Sequence, residues 1–286
     1  MEMKKIGVLG AGTMGNGIAQ ICAQAGFEVI MRDIADEFVQ RGLKSIEAFL
    51  SKGVEKGKIT EEDKKAVLGR IKGTTEMGDL KDVDFVIEAV IEDIDLKKRV
   101  FKELDELTRP EVILATNTSS LSITEIATAT KRPDKVVGMH FFNPVPLMRL
   151  VEVIKGLETS DETVKVTWEL AEKLGKVPVL VKKDTPGFIV NRIMMPQLME
   201  AIRIYEEGIA SMEDIDKAVK LGLNYPMGPF ELMDLTGLDI AYFVNEYFGR
   251  ELPKELKHVT PHLLKAKVKA NKLGRKTGEG WYKYSK

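Results

Sequence analysis

Apolar residues in the first two thirds of the chain gather into short runs: Ile6–Leu9, Val29–Met31, Val83–Ala89, Val112–Thr116, Val136–Phe142, Leu150–Ile154 and Val177–Val181. Several are apolar almost throughout, as strands covered on both faces should be. Helical patterns separate many of them, which predicts an α/β domain over residues 1–183 built on a mostly parallel, doubly wound sheet. Gly26, the Arg109-Pro110 break and Gly175 after Leu174 mark helix ends. Two helical stretches follow the second strand without a strand between them, at 36–55 and 61–70, the latter behind Thr60 as N-cap. A simple crossover needs one helix, so the segment at about 36–70 reads as a helical excursion.

The pattern changes at Asp184-Thr185-Pro186-Gly187. Beyond this stiff connector strand runs vanish and helical runs dominate, which predicts an all-α C-terminal domain over 184–286. Its first run, Ile193-Met194-Met195, Leu198-Met199 and Ile202, reads as helix core or as a contact between two copies.

Composition narrows the function classes. The 286 residues are 44% hydrophobic and 30% charged, enough for two packed domains. Lys+Arg (43) and Asp+Glu (44) nearly cancel, so the basic footprint expected of a nucleic-acid or anionic-membrane binder is not visible globally. No run reaches the 18 apolar residues of a membrane span, and the first strand starts too early for a targeting peptide. The expectation is a cytoplasmic protein. Cys22 is the sole cysteine; it has no disulfide partner and no companions for a zinc site, and it reads as core filler. No metal is expected.

Candidate chemistry begins where the first strand runs into Gly10-Ala11-Gly12-Thr13-Met14-Gly15 and then a helix. Gly10 permits the tight turn, Gly12 lets a pyrophosphate approach the backbone, and Gly15 lets helix and strand pack closely. The phosphates would meet unpaired N–H groups at the helix N-terminus. The second strand ends in Asp33, 18 positions beyond Gly15, near the spacing of a ribose-binding acid. Its carboxylate favours a free 2′-hydroxyl, so NAD is preferred to NADP, although neighbouring Arg32 is of the type that accommodates a 2′-phosphate. The first domain is thus Rossmann-type.

A dehydrogenase acting on an alcohol also needs a base for the hydroxyl proton. Of three histidines, His258 and His262 lie in a polar C-terminal stretch and read as surface residues. His140 ends an apolar strand, where ligands of open α/β sheets bind. Taken alone, beside Phe141 and Phe142, it reads as a satisfied core histidine rather than a catalytic one. Glu152, however, interrupts Leu150-Val151-Glu152-Val153-Ile154, and a carboxylate in such a strand must face water at an edge or be paired. Pairing with His140 across adjacent strands would orient the imidazole and stabilise its protonated form. After Val112–Thr116, Asn117, Thr118, Ser119 and Ser120 are polar groups at a strand's carboxyl end, while Ser122 and Glu125 form a capping box.

These blocks, with Asp184-Thr-Pro-Gly-Phe-Ile-Val-Asn-Arg192, Tyr225-Pro-Met-Gly-Pro-Phe230 and Lys276-Thr-Gly-Glu-Gly280, resemble the 3-hydroxyacyl-CoA dehydrogenase family over essentially the whole chain. The resemblance implies His140 as general base with Glu152 as its partner, and Ser119 and Asn191 as hydrogen-bond donors to the substrate. Asn191 would be the C-terminal domain's contribution to a site between the domains. It further implies Gly10, Gly12, Thr13, Met14, Gly15, Asp33, Glu92, Lys97, Asn117, Ser119, Asn143 and Lys276 around the cofactor. On pattern alone Glu92 and Lys97 would be a solvated helix face. In the family the helical excursion carries the CoA tail, which here makes Lys52, Lys56 and Lys58 candidate phosphate partners. The implied protein is an NAD-dependent enzyme on short-chain (3S)-3-hydroxyacyl-CoA, homodimeric through its C-terminal helices, serving fatty-acid oxidation or four-carbon (butanoate) metabolism.

Three alternatives keep the fold. A hydroxy-acid or sugar-acid dehydrogenase would share the His–Glu pair and ignore CoA. A lysine-based dinucleotide-dependent family is disfavoured by that pair. A non-catalytic NAD-binding protein would form no NADH.

Overall fold

The computed structural model describes residues 3–284, so the outermost positions of the two expected spans lie outside it. The chain folds as two compact units, Met1–Thr185 and Pro186–Lys286.

The first unit runs β1 (Lys5–Leu9), α1 (Thr13–Gln24), β2 (Glu28–Arg32), α2 (Asp36–Glu55), α3 (Glu61–Gly69), β3 (Ile71–Thr74), β4 (Phe85–Glu88), α4 (Ile94–Leu107), β5 (Ile113–Thr116), α5 (Ile123–Ala127), β6 (Val136–Phe141), β7 (Leu150–Ile154), α6 (Asp161–Lys173) and β8 (Val177–Val181). One eight-stranded sheet has the order β3-β2-β1-β4-β5-β6-β7-β8. The order reverses direction beside β1, where β2 lies on one side and β4 on the other. That is the switch point at which open α/β sheets bind ligands. All pairings are parallel except β6–β7, which is antiparallel. The reason is chain length: the eight residues between these strands are too few for a crossover.

Helices cover both faces. Ile18 and Cys22 of α1, Ile46 and Leu50 of α2, and Leu170 of α6 share one core cluster with Ile6, Val8, Phe85 and Ile87. Phe101 and Leu104 of α4 and Ile123 and Ile126 of α5 are buried outside that cluster. Each such side chain contributes about 1.5–3 kcal/mol by leaving water. Burial also pushes the Cys22 thiol pKa up, leaving it an inert core residue. The α2–α3 pair packs on the sheet rather than standing away from it: a Cβ at Gly73 of β3 would collide with the Val39 side chain of α2. Thr60 caps α3 through a reciprocal box with Asp63. The strand pattern overlooks β3, because Lys72 and Gly73 break its four-residue run.

At the start of α5 the expected capping box is half formed. Ser122 accepts the Glu125 N–H (3.1 Å), but the Glu125 carboxylate turns to Lys98 (3.3 Å). Asp184 supplies the rest, accepting from the Ser122 hydroxyl (2.6 Å) and the Thr124 N–H (2.7 Å).

The second unit contains α7 (Val190–Glu206), α8 (Met212–Gly222), α9 (Pro229–Thr236), α10 (Leu238–Glu251) and α11 (His262–Lys269), with two isolated β-bridges near its end. Met195, Leu198, Met199 and Ile202 of α7 are core, whereas Ile193 is 60% exposed. Buried Asp216 and Asp234 fasten the C-terminal segment. Asp234 accepts the N–H groups of Trp281 and Tyr282 and the Tyr284 hydroxyl, all at 2.8 Å, and Asp216 takes the Tyr282 hydroxyl at 2.8 Å. Among the described residues no helix is long and apolar enough to cross a membrane.

Candidate active site

The glycine turn shows three different demands. Gly10 has φ +94° and a Cβ there would collide with the Ala89 carbonyl; a Cβ at Gly15 would overlap the Gly10 carbonyl. Packing alone requires both glycines. A Cβ at Gly12 would meet nothing within 4 Å. Gly12 is the N-cap of α1, no side chain caps that helix, and its first turn carries no acid. Open space over uncapped N–H groups is where a pyrophosphate fits. Thr13 is exposed and Met14 packs on the core. The Asp33 carboxylate accepts the Ala11 N–H (2.6 Å) and the Ile34 N–H (2.7 Å), so it is held beside the turn with lone pairs left for a ribose hydroxyl. Arg32 donates from Nε to the Thr75 carbonyl (3.1 Å).

His140 and Glu152 are register partners in the antiparallel β6–β7 ladder. They are 5% and 0% exposed, and His140 Nδ1 lies 2.7 Å from Glu152 Oε2. An ionised carboxylate only accepts, so Nδ1 donates in this bond, and in the neutral ring Nε2 is then the acceptor nitrogen. The Phe142 ring lies 4.5 Å from the imidazole, tilted by 49°.

A second buried charge cluster lies at the ends of β4 and β5. Glu88, 0% exposed, accepts from Lys97 Nζ (2.6 Å), the Val90 N–H (2.7 Å) and the Thr116 hydroxyl (2.7 Å). Lys97 is 1% exposed and also lies 3.4 Å from Glu92, so it is not part of a solvated helix face. Glu92 Oε1 accepts the Thr118 hydroxyl (2.5 Å), the Ser119 N–H (2.9 Å) and the Ser119 hydroxyl (3.3 Å). Lys97 therefore has acidic partners before any ligand arrives, and Glu92 sets the Ser119 hydroxyl. Asn117 Oδ1 accepts the Phe141 N–H (2.9 Å), which ties the end of β5 to the strand of His140. Sequence reasoning passes over Glu88, although a lone carboxylate closing the apolar run Phe85-Val86-Ile87 is the same signal as Glu152.

Asn143 is exposed and lines a groove of about 230 Å³ with Thr13 and Asn16 of α1 and Ser45 and Phe49 of α2. Lys52, Lys56 and Lys58 are exposed at and just beyond the C-terminal end of α2. In the helical unit Asn191 is half-buried in the first turn of α7. Lys276 bonds both carboxylate oxygens of Asp239 (2.6 and 2.7 Å). His258 is half-buried and His262 exposed. Among the described residues no group of three or more His, Cys, Asp or Glu side chains is gathered to hold a metal ion.

Known proteins resemble this chain over nearly its whole length. Residues 5–185 match the 3-hydroxyacyl-CoA dehydrogenase NAD binding domain and residues 187–284 the C-terminal domain of the same family. A 3-hydroxybutyryl-CoA dehydrogenase of Clostridioides difficile is 50% identical over 99% of this chain and 100% of its own length. The human mitochondrial hydroxyacyl-coenzyme A dehydrogenase is 46% identical over 99% of this chain and 91% of its own. The crystal structure of (S)-3-hydroxybutyryl-CoA dehydrogenase from Ralstonia eutropha, 48% identical and covering 100% of both chains, superposes with a TM-score of 0.95. With both halves matched and NAD as the cofactor of the first, the chain belongs to the 3-hydroxyacyl-CoA dehydrogenase family.

Proposed function

We propose that the chain interconverts a short-chain (3S)-3-hydroxyacyl-CoA, of the 3-hydroxybutyryl-CoA class, and its 3-ketoacyl thioester with NAD. The observation that carries this reading is the buried 2.7 Å bond between His140 and Glu152; the names of the relatives from Clostridioides difficile and Ralstonia eutropha support the substrate class.

Bound NAD supplies the hydride acceptor. The carbon gives up hydride, so the hydroxyl must lose its proton separately, and His140 Nε2 takes it. The Glu152 carboxylate favours the imidazolium that forms and keeps Nε2 turned to the substrate. The Ser119 hydroxyl, held by Glu92, and the Asn191 amide hydrogen-bond the substrate's oxygens. Gly10, Gly12, Thr13, Met14 and Gly15 form the dinucleotide turn and Asp33 takes the ribose. Glu92, Lys97, Asn117, Asn143 and Lys276 complete the cofactor's surroundings, Lys97 acting through its two glutamates. Lys52 and Lys56, with Lys58 nearby, meet the CoA phosphates.

The working form is a cytoplasmic homodimer joined through the helical unit. Ile240 and Phe243, 51% and 62% exposed on one face of α10, support this reading. The enzyme serves fatty-acid or butanoate metabolism.

One assay tests the proposal: oxidation of NADH and of NADPH with acetoacetyl-CoA, longer 3-ketoacyl thioesters and free acetoacetate. Fastest turnover is expected with NADH and acetoacetyl-CoA. Equal turnover of the free acid would sink the CoA reading, and cofactor binding without turnover of any of these compounds would sink the enzymatic one.

A further inference from the structure

Residues 142–149 join the strand of His140 to that of Glu152 without regular structure of their own. Two turn bonds shape the segment, from the Leu147 and Met148 N–H groups to the Pro144 carbonyl (2.9 and 3.0 Å). One cation serves it. Lys176, directly before β8, is 8% exposed, and its ammonium donates to the carbonyls of Val145 (2.5 Å) and Met148 (2.9 Å). Among the described residues its hydrogen bonds go to main-chain oxygens and none to a carboxylate. Burial pushes its pKa below the ordinary lysine value.

Packing does not call for an ammonium here. A methionine would fill the same space without the desolvation cost of a charge. What methionine cannot do is satisfy two carbonyls on a loop with little structure of its own. The other side of that loop shows what is being held. Val145 is 1% exposed, and a Cβ at Gly17 would lie 2.8 Å from the Val145 Cβ, so the loop rests on the backbone of α1. Asn143, two residues earlier, faces the groove it shares with Thr13 and Asn16.

We propose that Lys176 is a positioning residue for cofactor binding: by holding the Val145 and Met148 carbonyls it seats the loop on α1 and fixes Asn143 across the groove from Thr13. The inference rests on Asn143 belonging to the cofactor's surroundings. His140 and Glu152 are held by strand register instead, so turnover at saturation does not depend on Lys176 in the same way.

The test compares Lys176→Met, Asn143→Ala and the double variant in NADH titration by fluorescence, turnover at saturating cofactor, and amide exchange of residues 143–149. In Lys176→Met, NADH affinity should fall about fivefold or more, while kcat stays within about threefold. Exchange should quicken in residues 143–149 and not in β1 or β5. The double variant should bind NADH no more weakly than the worse single variant. Unchanged affinity in Lys176→Met with weakened binding in Asn143→Ala overturns the inference and leaves the reading of Asn143 intact. Unchanged affinity in Asn143→Ala removes that reading and the inference with it. Should Lys176→Met fail to fold, Lys176→Gln keeps a single donor and should weaken NADH about twofold or more; no loss there also overturns the proposal.

Discussion

Glu88 and Glu152 begin from the same electrostatic problem and solve it differently. Each is a lone carboxylate in an otherwise apolar strand and each is 0% exposed. Such a charge must find donors inside the protein. Glu88 takes three, from the Lys97 ammonium, the Val90 N–H and the Thr116 hydroxyl, none of them a group that ordinarily serves as a proton acceptor in catalysis. Glu152 bonds an imidazole, which does. The first arrangement is a brace that fixes the ends of β4 and β5. The second couples a buried charge to a group that can carry a substrate's proton. Burial and charge are common to both; on the proposed mechanism it is the partner's chemistry that separates a structural glutamate from a catalytic one.

If that contrast holds, the two clusters fail in different ways. The largest effect is expected at His140. Replacing it with alanine should lower kcat by about 10³–10⁴ while NADH affinity changes little, because the proton acceptor acts in the transition state. Single-turnover kinetics beside a fluorescence titration check this, and near-normal turnover would remove His140 from the mechanism. Glu152→Gln comes next, with kcat down about 10²–10³. Single-turnover kinetics check this as well, and a rate close to that of the unaltered chain would mean that Glu152 does not act through the imidazole.

Glu88→Gln should behave in the opposite manner. It removes the nearer of the two carboxylates beside the buried Lys97 ammonium, leaving Glu92 at 3.4 Å, and puts an amide donor among donors, so urea unfolding should show a loss of about 3 kcal/mol. Turnover by the folded fraction should fall less than about tenfold, because Glu92 can still hold Ser119. A loss of rate as large as that of Glu152→Gln, with stability intact, would end the distinction drawn between the two glutamates.

The contrast also explains how far the sequence could be read. Local patterns reveal the glycine turn, most strands and the change to helices after Asp184, because apolar periodicity and turn chemistry are properties of neighbouring residues. His140 and Glu152 stand out for the same reason: a charge inside Leu150–Ile154 violates its own neighbourhood. What stays hidden depends on distant partners. Ile71–Thr74 is a strand because Val29 pairs with Ile71 across the sheet. Lys97 looks like one more charge on a helix with Asp95, Lys98 and Arg99, and only the packing of α4 brings it to Glu88. Lys176 follows Gly175 as an ordinary helix-end cation would, and nothing nearby in sequence announces the carbonyls of Val145 and Met148.

The smallest effect is the most discriminating. Thr116 stands between the clusters: its hydroxyl donates to Glu88, and its register partners are Glu88 on β4 and Gly138 on β6, two residues before His140. Thr116→Val keeps the shape and removes the hydroxyl, leaving one Glu88 oxygen short of a donor at a cost of about 1–2 kcal/mol. If Glu88 is a closed brace, Thr116→Val combined with Glu88→Gln should cost clearly less than the sum of the two, with a coupling of about 0.5 kcal/mol or more. Combined with Glu152→Gln, the stability losses should simply add, and the Glu152→Gln rate should not fall further. Coupling between Thr116 and Glu152 would mean that one network runs from Lys97 to the imidazole, and Glu88 would then belong to the machinery that tunes the base.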